Sequence, residues 1–204
     1  VYRMGEWKGK AMPVYSISEV LTELFSKQIP LVYETVILDT VDKVYEWAEN
    51  YIKTKHGVDD LADLSFGKGW SEARDIVIQI IESLQNFCKA NAVNFIMISH
   101  SKETTITDDK VQLSPELPRG LSKRLTALAD AIGYSTFDKE SGKPMLSFEC
   151  YDERAVGSRI PQLHNNVYDF SYNAVMNNIK KEPALENQQV NVNNHTKQME
   201  LTNA

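Results

Sequence analysis

Two runs of apolar residues end on side chains that could do chemistry. TVILD at 35–39 ends on the carboxylate of Asp39, and VNFIMISH at 93–100 ends on Ser99 and His100. A carboxylate at the end of a buried strand suits Mg²⁺, which takes few protein ligands and binds phosphate oxygens and water as well. A histidine at the end of a neighbouring strand has the donors to contact a terminal phosphate. The pair therefore favours a metal–phosphate site, although a turn acid and a strand-end histidine of purely structural role would look the same.

The elements around these residues alternate between strand and helix. The runs at 34–39 and 93–103 predict buried strands, because they are continuous rather than alternating. Between them, apolar residues at helical spacing predict helices over 43–56 and 71–90, with Asp42 capping the first. A strand, a long helical excursion and a second strand indicate a parallel pair. Because ligands bind at the carboxyl edge of such sheets, we expect the two strand ends to share one site.

The remaining elements are predicted from similar local signals. They are a helix that opens at SISE (16–19) and is stopped by Pro30, a polar loop at 104–118, a helix marked by Leu121, Leu125, Leu128 and Ala129, and a hairpin pairing 132–137 with 145–151. The Asn- and Gln-rich residues from 182 onward have few large apolar side chains and predict a disordered tail. We therefore expect one domain over 1–181 and a tail over 182–204.

Composition excludes several classes of protein. The chain has 204 residues, a net charge of −6 and a pI of about 5.3, so it lacks the overall basic surface of a duplex-binding protein. Cys88 and Cys150 form no C-x-x-C pair, which argues against a disulfide framework or zinc ribbon and favours two buried, reduced thiols. No apolar run approaches the roughly 18 residues of a membrane span, and no signal peptide is visible. We therefore expect a cytoplasmic protein without a membrane partner.

A nucleotide site also needs a loop that cradles phosphates, usually G-x-x-x-x-G-K-[ST] between a strand and a helix. The nearest candidate, GEWKGKA at 5–11, has one residue too few between its glycines and Ala11 where a metal-binding hydroxyl belongs. Pro13 also disfavours a helix starting at Lys10. GKGW at 67–70 could touch phosphate or a DNA backbone from a helix N-terminus, but it is at least as typical of a plain turn before a helix. Neither stretch is a convincing phosphate loop.

Basic residues are few and dispersed in the second half of the chain. The segment after the second apolar run carries Lys102, Lys110 and Arg119 among several acids. Alone, that mixture is more typical of a solvated loop than of a DNA-binding patch. Arg154 and Arg159 lie in DERAVGSR, after the predicted hairpin. They could be surface charge, or arginines that reach the nucleotide of a neighbouring subunit.

Taken in chain order, four stretches resemble one family: TVILDTVDKV, SFGKGWSEA, VNFIMISHSKE and SPELPRGLSKRLTALADAIGY. They look like the phage-encoded RecA-like P-loop ATPases, also described as AAA family ATPases or ATP-binding proteins, which include single-strand recombination ATPases. The likeness covers about residues 14–172. It implies an α/β fold with a RecA-like P-loop NTPase core, a mostly parallel sheet with flanking helices and a C-terminal β-hairpin. It also implies a protein that binds and hydrolyses ATP in phage DNA recombination or replication.

The resemblance implies roles for particular residues. Asp39 corresponds to the Walker B acid that supports Mg²⁺, and His100 to the sensor of the γ-phosphate, so both would be catalytic. The implied nucleotide-contacting set is Asp39, Thr40, Ser99, His100, Arg154 and Arg159, and the implied DNA-contacting set is Lys68, Lys102, Lys110 and Arg119. The implied cofactors are ATP and Mg²⁺. The implied partners are single-stranded DNA, further copies of the chain in a ring or filament, and a single-strand binding protein, in the host cytoplasm if the protein is phage-encoded.

The sequence also departs from the family. The phosphate loop and the catalytic glutamate of the family lie upstream of the Walker B strand, and neither is found here. We therefore expect that a Walker A segment is missing before Val1 and that this chain alone hydrolyses no ATP. Two alternatives stay open: a non-catalytic RecA-like module for DNA contact or self-assembly, and a metal-dependent phosphohydrolase using Asp39, Asp42 and His100. The second needs Asp42 at the site, whereas we expect Asp42 to turn away as a helix cap.

Overall fold

The elements of the protein are given by a computed structural model that describes residues 34–107, 110–150 and 154–180. The predicted helix before Pro30, the GEWKGKA stretch and the tail from 182 lie outside these residues. In chain order the elements are β1 (Thr35–Asp39), α1 (Val41–His56), α2 (Lys68–Ala90), β2 (Asn94–Ile98), β3 (Ser101–Thr107), β4 (Lys110–Pro115), α3 (Arg119–Leu128), β5 (Ala131–Ile132), β6 (Tyr134–Phe137), β7 (Pro144–Ser147), β8 (Gly157–Ser158), β9 (Val167–Asp169) and α4 (Tyr172–Ile179). This mixture of helices and small sheets confirms the α/β class.

The predicted parallel pair is present. Strands β1 and β2 run parallel, from Thr35 opposite Asn94 to Asp39 opposite Ile98, and α1 and α2 form the crossover between them. The other sheets of the described residues are antiparallel: β3 with β4, β5 with β8, and β6–β7–β9. Among the described residues, parallel pairing is therefore limited to β1 with β2 and an isolated bridge between Leu113 and Arg154. The mostly parallel, RecA-like sheet stays a prediction.

The described residues form two units. The first holds residues 34–129 and 154–155, and with them β1 to β4 and α1 to α3. The second holds residues 130–150 and 156–180, and with them β5 to β9 and α4. The carboxyl ends of β1 and β2 both belong to the first unit, so that unit carries the predicted strand-end site.

Apolar residues at helical spacing hold the first unit together. On α1, Val44, Ala48 and Ile52 recur every four residues and are buried in one cluster with residues of α2 and α3. The partners on those two helices are Ala73, Val77, Ile78, Ile81, Leu121 and Leu125. Helix α1 ends at Gly57 as predicted, where a φ of 64° lets the backbone N–H turn back to Thr54. The three helices therefore form one apolar layer behind β1 and β2.

The outer face of the β1–β2 pair differs from the prediction of strands buried on both faces. Leu38, Phe95 and Met97 pack against the helical core. On the other face, the side chains of Ile37, Ile96 and Ile98 are 48%, 36% and 42% exposed. Each strand therefore alternates between a packed and an open face, because the described helices cover the pair from one side.

Two predicted boundaries in the first unit need correction. The segment 104–118, predicted as a polar loop, forms most of the antiparallel hairpin β3–β4, in which Lys102 is opposite Ser114 and Thr105 opposite Val111. Its β-branched residues suit a strand, but it has too few large apolar residues to show a buried face in the sequence. Helix α2 begins at Lys68, three residues before the predicted start at Ser71. Helix α3 contains the predicted Leu121, Leu125 and Leu128 but ends before Ala129, whose backbone is extended.

The second unit contains the predicted C-terminal hairpin, with shorter arms than the predicted 132–137 and 145–151. Tyr134–Phe137 pairs with Pro144–Ser147 across a turn in which Asp138 accepts hydrogen bonds from Ser141, and β9 adds a third strand. The prediction of two buried thiols is half right: Cys88 is buried, whereas Cys150 is exposed, because it follows β7 beyond the core residue Phe148. None of the helices in the described ranges is long and apolar enough to cross a membrane.

One carboxylate ties the end of α1 to the start of α2. Glu72 lies 2.8 Å from Lys55 Nζ, 3.0 Å from His56 Nε2 and 3.8 Å from Lys68 Nζ. The hydrogen bonds from Lys55 and His56 lower the pKa of Glu72 to about 2, from an ordinary value of 4.5. Because the folded-state pKa is the lower one, this contribution to stability is complete above pH 4.5 and is lost as the pH falls towards 2.

We therefore expect Glu72→Gln to lower the melting temperature at pH 7 and to lower it progressively less as the pH falls from 4.5. Thermal unfolding of both proteins between pH 7 and pH 3 measures this. The matched control is Glu46→Gln, which removes one exposed ion pair with Lys43 and should change the melting temperature little. A destabilisation by Glu72→Gln that is equal at all pH values would show that its charge is not responsible.

Candidate functional site

The strand ends that the sequence singled out lie side by side. Asp39, the last residue of β1, is opposite Ile98, the last residue of β2, and Ser99 and His100 follow directly. The chain continues from Asp39 through Thr40 into α1 and from His100 into β3. The parallel crossover therefore brings both predicted strand ends to one edge of the sheet, where α/β proteins bind ligands.

Asp39 and Thr40 offer oxygen atoms at this edge. The Asp39 side chain is exposed and lies on the same face of the sheet as Ile37. The Thr40 hydroxyl oxygen is buried and has no hydrogen-bond partner of acceptable geometry in the described residues, although it is close enough to the Asp42 carboxylate to help lower its pKa. A buried oxygen without a partner is costly, so a ligand or water that bonded it would be favoured.

His100 is held by Asp42, contrary to the prediction that Asp42 turns away as a helix cap. The ring Nδ1 lies 2.8 Å from Asp42 Oδ2, and the His100 backbone N–H donates to Asp42 Oδ1 at 3.1 Å. The N-cap of α1 is Thr40, two residues earlier, so the Asp42 side chain in the first turn can point to the end of β2. Sequence reasoning missed this contact because a first-turn acid shows the same local pattern whether it caps the helix or bonds a distant strand.

The contact changes the pKa of Asp42 and the pKa of His100 in the directions that favour an ion pair. Burial raises the pKa of Asp42, but hydrogen bonds from the His100 ring and backbone outweigh it, so the pKa of Asp42 is lowered. The hydrogen bond to Asp42 raises the pKa of His100 above its ordinary value. An ionised carboxylate can only accept, so the proton of the pair is assigned to Nδ1. The Nε2 atom makes no hydrogen bond within the described residues and is available to a ligand.

A depression of about 380 Å³ opens beside this pair. Its lining residues are Asp42, Lys43, Glu46, His100 and Glu116. Three carboxylates face one lysine and one histidine, and the lysine is already paired with Glu46 at 2.5 Å. A bare phosphate would be repelled here, whereas a nucleotide that brings its own divalent cation would meet a compatible charge balance.

The oxygen atoms of Asp39 and Thr40 fit the way Mg²⁺ binds with a nucleotide. Within residues 34–107, 110–150 and 154–180, no three His, Cys, Asp or Glu side chains are grouped so that they could hold a metal ion. That finding does not support the phosphohydrolase alternative, which needs Asp39, Asp42 and His100 together. Nucleotide-bound Mg²⁺ needs only one or two carboxylates, since phosphates and water complete its shell. The exposed Asp39 carboxylate, with Thr40 beside it, meets that requirement.

The other residues predicted to contact nucleotide lie on different parts of the chain. The Ser99 hydroxyl donates to the His100 carbonyl oxygen at 2.9 Å. Arg154 belongs to the first unit, where it bridges to Leu113 of β4. Arg159 belongs to the second unit, and its backbone N–H donates to the carbonyl oxygen of Asp130 at 2.7 Å. A common role for Arg154 and Arg159 at a neighbour's nucleotide therefore stays a prediction.

The residues predicted to contact DNA are divided between the hairpin and two helix starts. Lys102 is exposed near the base of the β3–β4 hairpin, and Lys110 is opposite Thr107 near its tip. Arg119 is exposed at the first residue of α3, and Lys68 starts α2. Three of the four thus lie on the hairpin or shortly after it, and their contact with DNA stays a prediction.

Gly69, which follows Lys68, has a packing role. A Cβ atom at Gly69 would lie 2.9 Å from side-chain atoms of Leu61 and of Leu64, closer than real contacts allow. Gly69 therefore lets the start of α2 approach the turn before it. This supports the plain structural interpretation of GKGW over a phosphate loop.

Ligating and sensing side chains at the carboxyl edge of a parallel α/β pair are typical of nucleotide-binding proteins. A family model for the AAA domain matches residues 2–173. The chain therefore belongs to the AAA-domain family, which indicates a P-loop fold and a nucleotide-binding function of the ATPase type. No curated protein and no solved structure matches the chain.

Proposed function

We propose that this protein binds and hydrolyses Mg-ATP and acts with single-stranded DNA in phage recombination or replication. The observation that carries the proposal is the juxtaposition of Asp39 and the Asp42-bound His100 at the carboxyl edge of β1 and β2, in a chain of the AAA-domain family. The order of the motifs in the sequence supports the finer assignment to recombination or replication. The alternative of a non-catalytic module predicts DNA binding that ATP does not change.

Each side chain has a chemical task in this proposal. The Asp39 carboxylate would hold Mg²⁺, directly or through water, with Thr40 beside it. When bound, Mg²⁺ neutralises charge on the phosphates of ATP. His100 would donate from Nε2 to an oxygen of the terminal phosphate, whose charge increases as the bond to the leaving group breaks. Arg154 and Arg159 would supply positive charge to the nucleotide of a neighbouring copy in a ring or filament.

The β3–β4 hairpin would contact the DNA. It starts at Ser101, directly after His100, and the Glu116 N–H donates to the His100 carbonyl oxygen at 2.8 Å just after the hairpin ends. Lys102 and Lys110 would neutralise phosphates of a single strand, and such contacts weaken as salt rises. With a net charge of −6, the chain would bind DNA through this local segment rather than through its whole surface.

Phosphate release from Mg-ATP by the complete protein tests the proposal, measured with no nucleic acid, with single-stranded DNA and with duplex DNA. We expect hydrolysis that single-stranded DNA stimulates more than duplex DNA does. The double variant Lys102→Ala/Lys110→Ala should lose most of the stimulation and keep the basal rate. The matched control is Lys139→Ala/Lys143→Ala in the turn of the second unit, which should behave like the parent protein. A folded complete protein that neither binds nor hydrolyses ATP would contradict the proposal.

A further inference from the structure

The two side chains of the Asp42–His100 contact differ in their exposure to solvent. The Asp42 side chain is 11% exposed and the His100 side chain 63% exposed. One carboxylate oxygen accepts from the ring and the other from the backbone of the same residue. Two bonds to one residue restrict both the backbone position of His100 and the rotation of its ring. Asp42 is thus a nearly buried anchor for an exposed imidazole.

We propose that Asp42 is a positioning residue for the ATPase reaction, which turns His100 so that Nε2 rather than Nδ1 meets the terminal phosphate. The inference rests on the proposed function, because it concerns the same site. With Nδ1 donating to Asp42, Nε2 is the ring nitrogen left to meet the phosphate. Without Asp42, the ring could rotate about its side-chain bonds and exchange the two nitrogens. Asp42 would act on the reaction through His100.

The charged groups around His100 affect the pH range in which Nε2 can donate a hydrogen bond. Asp42, Lys43 and Glu46 face it from α1, and Glu116 faces it from the end of the hairpin. Because Nδ1–H is fixed on Asp42, a neutral His100 presents a lone pair at Nε2, and only the protonated ring presents a donor there. Asp42 raises the pKa of His100 and so extends the pH range in which the donor exists. Wild-type activity should therefore fall as the pH rises through this raised pKa.

Asp42→Asn, His100→Ala and the double variant test the inference in the complete protein. We expect Asp42→Asn to lower kcat on the order of 10- to 100-fold, the usual cost of losing a partner that orients a functional side chain. In a His100→Ala background, Asp42→Asn should lower kcat by less than about twofold, because no ring remains to be positioned. Asp42→Glu, which keeps the carboxylate, should recover part of the activity. Asp75→Asn, the same change of charge at an exposed position of α2, is the matched control and should stay near the parent rate.

Long-range ¹H–¹⁵N spectra of the His100 ring provide a readout independent of turnover. We expect Nδ1 to be the protonated nitrogen of the neutral ring in the parent protein, and a mixture of tautomers with a lower pKa in Asp42→Asn. In Asp42→Asn, the fall in kcat with rising pH should move to lower pH by as much as the pKa of His100 falls. If Asp42→Asn costs equally with and without His100, or leaves the ring spectrum unchanged, the inference is overturned while the ATPase proposal stands. If the complete protein hydrolyses no ATP, the proposed function fails and the inference falls with it.

Discussion

Replacing Asp39 by asparagine should reduce kcat for ATP hydrolysis by about 100-fold or more while leaving the protein folded. Loss of one group that stabilises the charge of a transition state costs on the order of 10²- to 10³-fold. Asparagine keeps the size of the side chain but removes the negative charge that favours Mg²⁺. Because Asp39 is exposed and lies outside the apolar cluster, the variant should melt within about 2 °C of the parent protein.

Phosphate release over a range of Mg²⁺ concentrations measures the effect of this change. Excess Mg²⁺ should restore part of the activity if Asp39 acts by holding the ion. The matched control is Asp59→Asn, in the exposed loop after α1, where the same change of charge should leave turnover unaltered. A parent-like rate in Asp39→Asn would show that the strand-end carboxylate is not a magnesium ligand, and the proposed site would have to be abandoned.

Replacing Ile52 by alanine should destabilise the first unit by about 3 kcal/mol. This is a typical cost of truncating a buried isoleucine when the surrounding residues only partly close the cavity. Ile52 is fully buried on α1 among residues of α1, α2 and α3. The loss should lower the melting temperature by about 10 °C. Urea denaturation measures it, with an unchanged slope showing that the same surface is exposed on unfolding.

Ile37→Ala is the matched control for this measurement. It deletes the same atoms from a residue that the sequence predicts to be equally buried, but its side chain is 48% exposed. We expect a loss of about 1 kcal/mol or less, since half of the side chain already contacts water and no closed cavity forms. Equal losses for both variants would show that the outer face of β1 and β2 is covered in solution.

The helices could be predicted from the sequence because their signals are local. Val44, Ala48 and Ile52 mark one face of α1 within nine residues, and Gly57 ends the helix through its own backbone freedom. The hairpin β3–β4 could not be predicted in the same way. Its strands form through pairing such as Lys102 with Ser114, and neither strand carries an apolar pattern strong enough to show without its partner.

For the candidate site, too, the sequence predicts what local patterns encode but not the contacts between distant residues. The sequence by itself determined that Asp39 and His100 follow two apolar strands, and that a helical crossover of this length makes the strands parallel neighbours. That was sufficient to place both residues at one edge of the sheet. It did not determine what His100 bonds, because its partner Asp42 lies 58 residues earlier and contributes no local pattern that distinguishes a cap from an anchor.

Only the tertiary structure decided which side chains meet and which faces are covered. Asp42 reaches His100 because the parallel register of β1 and β2 places the start of α1 beside the end of β2. Ile37 and Ile96 are apolar in the sequence yet open in the fold, because the described helices pack on the opposite face. Periodicity is a property of neighbours along the chain, whereas contact and burial depend on residues that folding brings together from distant positions.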